Sequence, residues 1–87
     1  MTACLAQVDR MDPVVNAMVI RNDELALERA ANADLERQRG QAIGPLHGLP
    51  VAIKDLHPTA DMPTTYGSPA FADHQPLQDS GIVTRVK

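Results

Sequence analysis

Apolar positions in the first half of the chain recur at helical spacing, and most of them are small. In residues 2–11, Leu5 and Val8 fall on one face, which predicts a short helix. Asp12-Pro13 should end it, because proline disfavours helical geometry in the residue before it. Val14, Val15, Ala17, Val19 and Ile20 are β-prone or small, so a short extended segment is expected next. Residues 22–39 carry the clearest helical pattern. Asn22 is placed to cap it, and Asp23 and Glu24 sit in the first turn, where the helix dipole favours acids. Arg37 and Arg39 lie in the last turn, and Gly40 follows as the residue that leaves the helix. The inward face of this helix should hold Ala26, Leu27, Ala30, Ala31, Ala33 and Leu35. Alanines bury little area, at about 25 cal/mol per Å2, so such a helix suits close packing on a larger body.

The pattern changes near Gly40, from charged and Ala-rich to punctuated by glycine and proline. Gly44-Pro45-Leu46-His47-Gly48-Leu49-Pro50 is turn chemistry, and it leads into Val51-Ala52-Ile53-Lys54-Asp55. The apolar run 51–53 reads as a buried strand. Val51 and Ile53 would face one way, Ala52 and Lys54 the other. Residues 57–78 contain Pro58, Pro63, Pro69 and Pro76 among small polar residues, which predicts a long ordered loop or a set of turns. Asp79-Ser80 can cap a last helix, with Ile82, Val83 and Val86 at core spacing.

Composition narrows the size of the body these elements can form. The chain has 87 residues with one Tyr, one Phe and no Trp, so a self-sufficient core is marginal. Its formal charge of −3 is made of interspersed acids and bases. Neither a basic stripe for nucleic acid nor a basic amphipathic face for a membrane surface is present. No apolar run approaches the ~20 residues of a membrane span. The first ten residues lack the basic and apolar regions of a signal peptide, so the cytoplasm is the expected compartment. Cys4, the single cysteine, reads as a small hydrophobe.

Lys54 carries the most chemistry. At the end of an apolar strand it would be buried or half-buried. Desolvation would then lower its pKa and fit it to accept a proton. The alternative is a strand-end lysine that snorkels to water or pairs with Asp55. Val51-Ala52-Ile53-Lys54 also spells the ATP-binding strand of protein kinases. A kinase needs a Gly-rich loop upstream and a glutamate downstream to pair the lysine, and no Glu follows Glu36. The spacing of Gly40, Gly44 and Gly48 is that of a membrane-helix dimer motif, but no apolar 20-mer surrounds it. His47, His57 and His74 lack metal-ligand spacing. His47 is expected to order the turn before the strand.

The segment 44–55 closely resembles the one that bears the catalytic lysine in the amidase-signature family. The resemblance continues through Met62-Pro63-Thr64-Thr65-Tyr66-Gly67-Ser68 and through Asp79-Ser80, and upstream through Asp12-Pro13-Val14-Val15-Asn16-Ala17. It implies a Ser-Ser-Lys triad that hydrolyses carboxylic amides, with Lys54 as the base and backbone N–H groups stabilising the oxyanion. It implies no cofactor and no metal. It implies a small-molecule amide substrate, and neither nucleic acid nor membrane as a partner. The fold it implies is α/β: residues 1–87 as the N-terminal part of a single α/β/α domain with a mixed sheet. In this chain that means about three helical segments and one or two strands. The two serines belong to a Gly/Ser-rich segment that these residues do not contain, and Ser68 and Ser80 do not fit that role. The chain by itself is therefore expected to be inactive. Two other readings stand beside this one. The first is a non-catalytic truncated product that is inert, or that binds a partner or a second copy of itself through an exposed strand edge. The second is the glutamine-hydrolysing subunit of a tRNA-dependent amidotransferase, although the 63–69 stretch is more like stand-alone amidases.

Overall fold

The computed structural model describes residues 1–41 and 43–87. It divides into two compact units, Met1–Pro50 and Val51–Lys87.

The first unit is built from helices α1 (Thr2–Val15) and α2 (Asp23–Gln38). Helix α1 does not stop at Asp12-Pro13. It runs through Pro13 to Val15, so the extended segment expected from Val14 does not begin there. Two local features explain the extension. Asn16 closes the helix in the left-handed conformation, φ 49° and ψ 49°, donating its N–H to the Asp12 carbonyl; asparagine tolerates this conformation better than most residues. The Asp12 carboxylate then accepts from the N–H groups of Ala17 at 2.7 Å and Met18 at 3.0 Å. Proline deprives the last turn of one donor, and Asp12 gives the emerging chain a partner in its place.

Helix α2 follows the expected pattern. The Asn22 side chain accepts from the Leu25 N–H at 3.1 Å. At the far end Gly40 sits at φ +67°. Its N–H bonds the Arg37 carbonyl, and Gln41 N–H bonds that of Glu36, both at 3.1 Å. This pair of bonds is a Schellman ending, which satisfies carbonyls the helix leaves open. The expected apolar face is only partly covered: Ala26, Ala30 and Ala33 are half-buried, whereas Leu27, Ala31 and Leu35 are exposed. Arg21, between the helices, forks onto Asp23 and also reaches Asp9 at 2.8 Å.

The second unit holds a 3-10 helix, Pro69–Phe71, and helix α3, Gly81–Val86. Val83 is fully buried in it, and Thr59 and Thr64 are buried too. These two threonines are satisfied internally. The Thr59 N–H donates to the Thr64 hydroxyl, the Thr59 hydroxyl to the His57 carbonyl, and the Thr64 N–H to the His74 carbonyl, as buried polar groups require. Residues 57–78 form the expected succession of turns. They close on the start of α3, where Ser80 N–H bonds the Pro58 carbonyl at 2.8 Å and the Asp79 carboxylate accepts from Ala60 N–H at 2.8 Å. Lys87 Nζ bridges Asp79 at 2.6 Å and Asp61 at 2.9 Å. Burial draws the pKa of this ammonium down, but its hydrogen bonds to Asp79 and Asp61 and their charges outweigh that and raise it. Ser80 is the N-cap residue of α3, but its hydroxyl makes no capping bond.

The α/β class expected from the sequence is overturned. Among the described residues the regular elements are helices alone, with no strand and no mixed sheet. The run 51–53 has no ladder partner there, and it is not buried: Val51 and Ala52 are exposed and Ile53 is half-buried. A strand exists only through the backbone bonds that a neighbouring strand supplies, and three apolar residues after a proline do not supply them alone. Self-association through a strand edge loses its structural basis with the strand.

Candidate functional site

The turn that precedes Lys54 is held as the sequence predicts. His47 N–H bonds the Gly44 carbonyl and Leu49 N–H that of Leu46, both at 3.1 Å. The imidazole of His47 lies 3.0 Å from the Ala33 carbonyl through Nε2, which must therefore donate, and its Nδ1 is 3.7 Å from a Glu36 oxygen. His47 thus ties residues 44–47 to helix α2. The Nε2 contact with the Ala33 carbonyl suits a role in ordering the turn. No cluster of three His, Cys, Asp or Glu side chains is arranged for a metal among the described residues.

Lys54 is exposed, so the packing of this chain does not supply the burial expected for it. Its side chain has neither a hydrogen-bond nor an ion partner among the described residues, and the pairing with Asp55 does not form. Its backbone, by contrast, is fixed. The Lys54 carbonyl accepts from Leu56 N–H at 2.7 Å and His57 N–H at 3.0 Å, which makes a tight turn directly after the lysine.

Asp55 faces a different partner. Its Oδ1 accepts from the Thr65 N–H at 2.7 Å, and its Oδ2 accepts from the Thr65 hydroxyl and from Gly67 N–H at 3.4 Å. Tyr66 and Gly67 are both left-handed, at φ 54° and φ 69°, and this turns their N–H groups towards the carboxylate. Consecutive N–H groups gathered in this way form an anion-binding concavity. The Thr65 hydroxyl bond, then the Thr65 N–H bond, hold the Asp55 carboxyl below the usual carboxylate range. Sequence reasoning did not find this clasp. The signal for it was an aspartate ten residues before a Thr-Tyr-Gly turn, which is too generic to single out.

An aromatic group flanks the clasp. Tyr66 and Phe71 meet edge to face with centroids 5.4 Å apart, and His74 lies 5.8 Å from Tyr66 and 5.9 Å from Phe71. Ser68 is occupied as the N-cap of the 3-10 helix, where its hydroxyl accepts from Ala70 N–H at 3.3 Å. The Ser80 hydroxyl is buried without a hydrogen-bond partner and has no base beside it. Neither serine stands in the arrangement of nucleophile and adjacent base that an activated hydroxyl needs. Cys4 is exposed on α1. No helix among the described residues is long and apolar enough to cross a membrane.

Comparison with known proteins places these residues in a family. The sequence profile of the family described as Amidase matches residues 1–87. A glutamyl-tRNA(Gln) amidotransferase subunit from Chloroflexus aurantiacus is 38% identical over 84 residues, covering 97% of this chain and 17% of the relative. The protein of the same name from Rhodopirellula baltica is 41% identical over 83 residues, 95% of this chain and 17% of its own length. A Mycobacterium tuberculosis protein named "Putative amidase AmiD" is 37% identical over 83 residues, 95% of this chain and 18% of its own. The chain therefore spans less than a fifth of the length of these relatives. No solved structure matches it. With the match running from the first residue to the last, the chain belongs to the amidase family.

Proposed function

We propose that these residues supply the general base of an enzyme that hydrolyses carboxylic amides to acid and ammonia or amine. In the complete enzyme the neutral Nζ of Lys54 takes a proton from a bridging serine. That serine takes the proton of the nucleophilic serine as its Oγ attacks the amide carbonyl. The proton then passes to the departing nitrogen, an acyl-serine forms, and water releases the acid by the same relay in reverse. The two serines and the groups that bury Lys54 belong to parts of the protein outside these residues, and the compartment is the cytoplasm. Exposed Val14, Val19 and Leu77 support the reading of residues 1–87 as part of one larger domain, because apolar surface of this kind is covered when neighbouring chain packs on it.

The observation that carries the reading is the position of Lys54 within segment 44–55 in a chain whose family match is complete. A second reading, the glutamine-hydrolysing subunit of a tRNA-dependent amidotransferase, is favoured by the names of the amidotransferase relatives. Ammonia release from glutamine that depends on partner subunits, with no turnover of simple amides, selects it. The test of the base itself is Lys54→Arg in the complete enzyme. A folded variant without turnover supports the reading, and a folded variant that keeps a tenth of the activity overturns it.

A further inference from the structure

The exposed side chain of Lys54 stands on a backbone held from two sides. On one side its carbonyl closes the 54–57 turn by accepting from Leu56 and His57. On the other, the next residue, Asp55, grips residues 65–67 through the Thr65 N–H, the Thr65 hydroxyl and the Gly67 N–H. A lysine reaches its target through four flexible methylenes, so the place of its ammonium depends on where its Cα is fixed. We propose that Asp55 is a positioning residue for Lys54: by clasping the 65–67 turn it holds the peptide from which the base reaches the serine relay.

This rests on the reading of Lys54 as the base, and it goes beyond it by assigning Asp55 and Thr65 a role that identity as a Lys-Asp pair does not. The alternative task for Asp55, neutralising the Lys54 ammonium directly, is not what the geometry shows, since both carboxylate oxygens are taken by the 65–67 turn. The clasp makes three kinds of substitution unequal. Asp55→Ala removes every acceptor. Asp55→Asn keeps one carbonyl oxygen and so retains part of the grip. Thr65→Val removes the hydroxyl donor and keeps the N–H.

The experiment compares these variants with Lys54→Arg in the complete enzyme, measuring kcat, KM, rate against pH and folding by circular dichroism. A base displaced by about 1 Å loses rate by up to 10²-fold. We expect kcat to fall roughly 10- to 100-fold in Asp55→Ala, less in Asp55→Asn and least in Thr65→Val. KM should stay near wild type and the pH–rate midpoint should move, which a loss confined to folding would not produce. A folded Asp55→Ala with unchanged kcat and pH profile, beside an inactive Lys54→Arg, overturns the positioning role alone. A raised KM at unchanged kcat also overturns it, by placing Asp55 in substrate binding. If Asp55→Ala does not fold, Asp55→Asn and Thr65→Val decide by the same criteria. An active Lys54→Arg removes the base, and the positioning role falls with it on a separate observation.

Discussion

Asp55 accepts the backbone N–H of Thr65 at 2.7 Å with one carboxylate oxygen and the hydroxyl of the same threonine with the other. The two residues are ten apart in sequence, and the bond closes the turns that follow Lys54 into a loop. Because the acceptor is charged, the grip depends on ionisation.

That dependence has a definite sign. The carboxyl of Asp55 is lowered in the folded state by the Thr65 hydroxyl bond first and the Thr65 N–H bond second. A group whose folded pKa lies below its unfolded value, about 3.9 for aspartate, stabilises the fold above that value, and the contribution is lost as pH falls through the folded pKa. Denaturant unfolding of the complete protein should show wild type more stable than Asp55→Asn at pH 5 to 7, with the difference closing below about pH 4. A difference constant across that range would show that the carboxylate is not ionised against the turn.

The end of α2 offers a test free of packing effects. Gly40 is at φ +67°, and a Cβ added there meets nothing within 4 Å. Gly40→Ala therefore isolates the conformational penalty of a left-handed alanine, about 1 kcal/mol. The melting temperature of the complete protein should drop by a few degrees without loss of activity. An unchanged melting temperature would mean that the Schellman ending is not retained there.

The isolated 87-residue polypeptide should hydrolyse no amide. Ser68 is spent as a cap and Ser80 has no base beside it, and a base without a nucleophile forms no acyl-enzyme. Assay against simple amides, with Lys54→Ala as control, checks this; turnover that the control abolishes would place a nucleophile within these residues.

The same polypeptide should show no cooperative thermal transition as a dilute monomer. Val83 is fully buried while Val14 is 82% and Leu77 95% exposed, so little apolar area opposes the entropy of the chain. A sharp, concentration-independent transition by circular dichroism would contradict this.

Local signals in the sequence were legible where a few neighbouring residues decide the outcome. Asn22, with Asp23 and Glu24 after it, fixes the start of α2, and Gly40 fixes its end. Pro13 misled because the expectation weighed the missing donor and not the compensation that Asp12 and Asn16 provide. The run 51–53 misled for a different reason: apolar side chains do not make a strand without a partner, and partners are a tertiary property. The site divides in the same way. Lys54 was singled out by its surrounding motif, and the proposal for its role rests on that motif. The Asp55–Thr65 clasp was not, because it depends on two consecutive left-handed residues at Tyr66 and Gly67 that a sequence does not announce.

Lys54 is where family resemblance and chemistry meet, and the Arg exchange separates them from structure. Arginine keeps the positive charge and a similar length, but it does not lose its proton at working pH and so cannot act as the base. A lysine with a structural task should tolerate the exchange, since arginine keeps its charge and its reach. A lysine in a proton relay should not. Removing one member of such a relay lowers kcat by on the order of 10³ or more. Lys54→Ala should fall as far, since the relay is interrupted either way. Circular dichroism and gel filtration on both variants separate lost chemistry from lost structure. A folded Lys54→Arg enzyme that works at a tenth of the wild-type rate, on the same pH profile, would leave Lys54 as a surface cation and place the base on another residue.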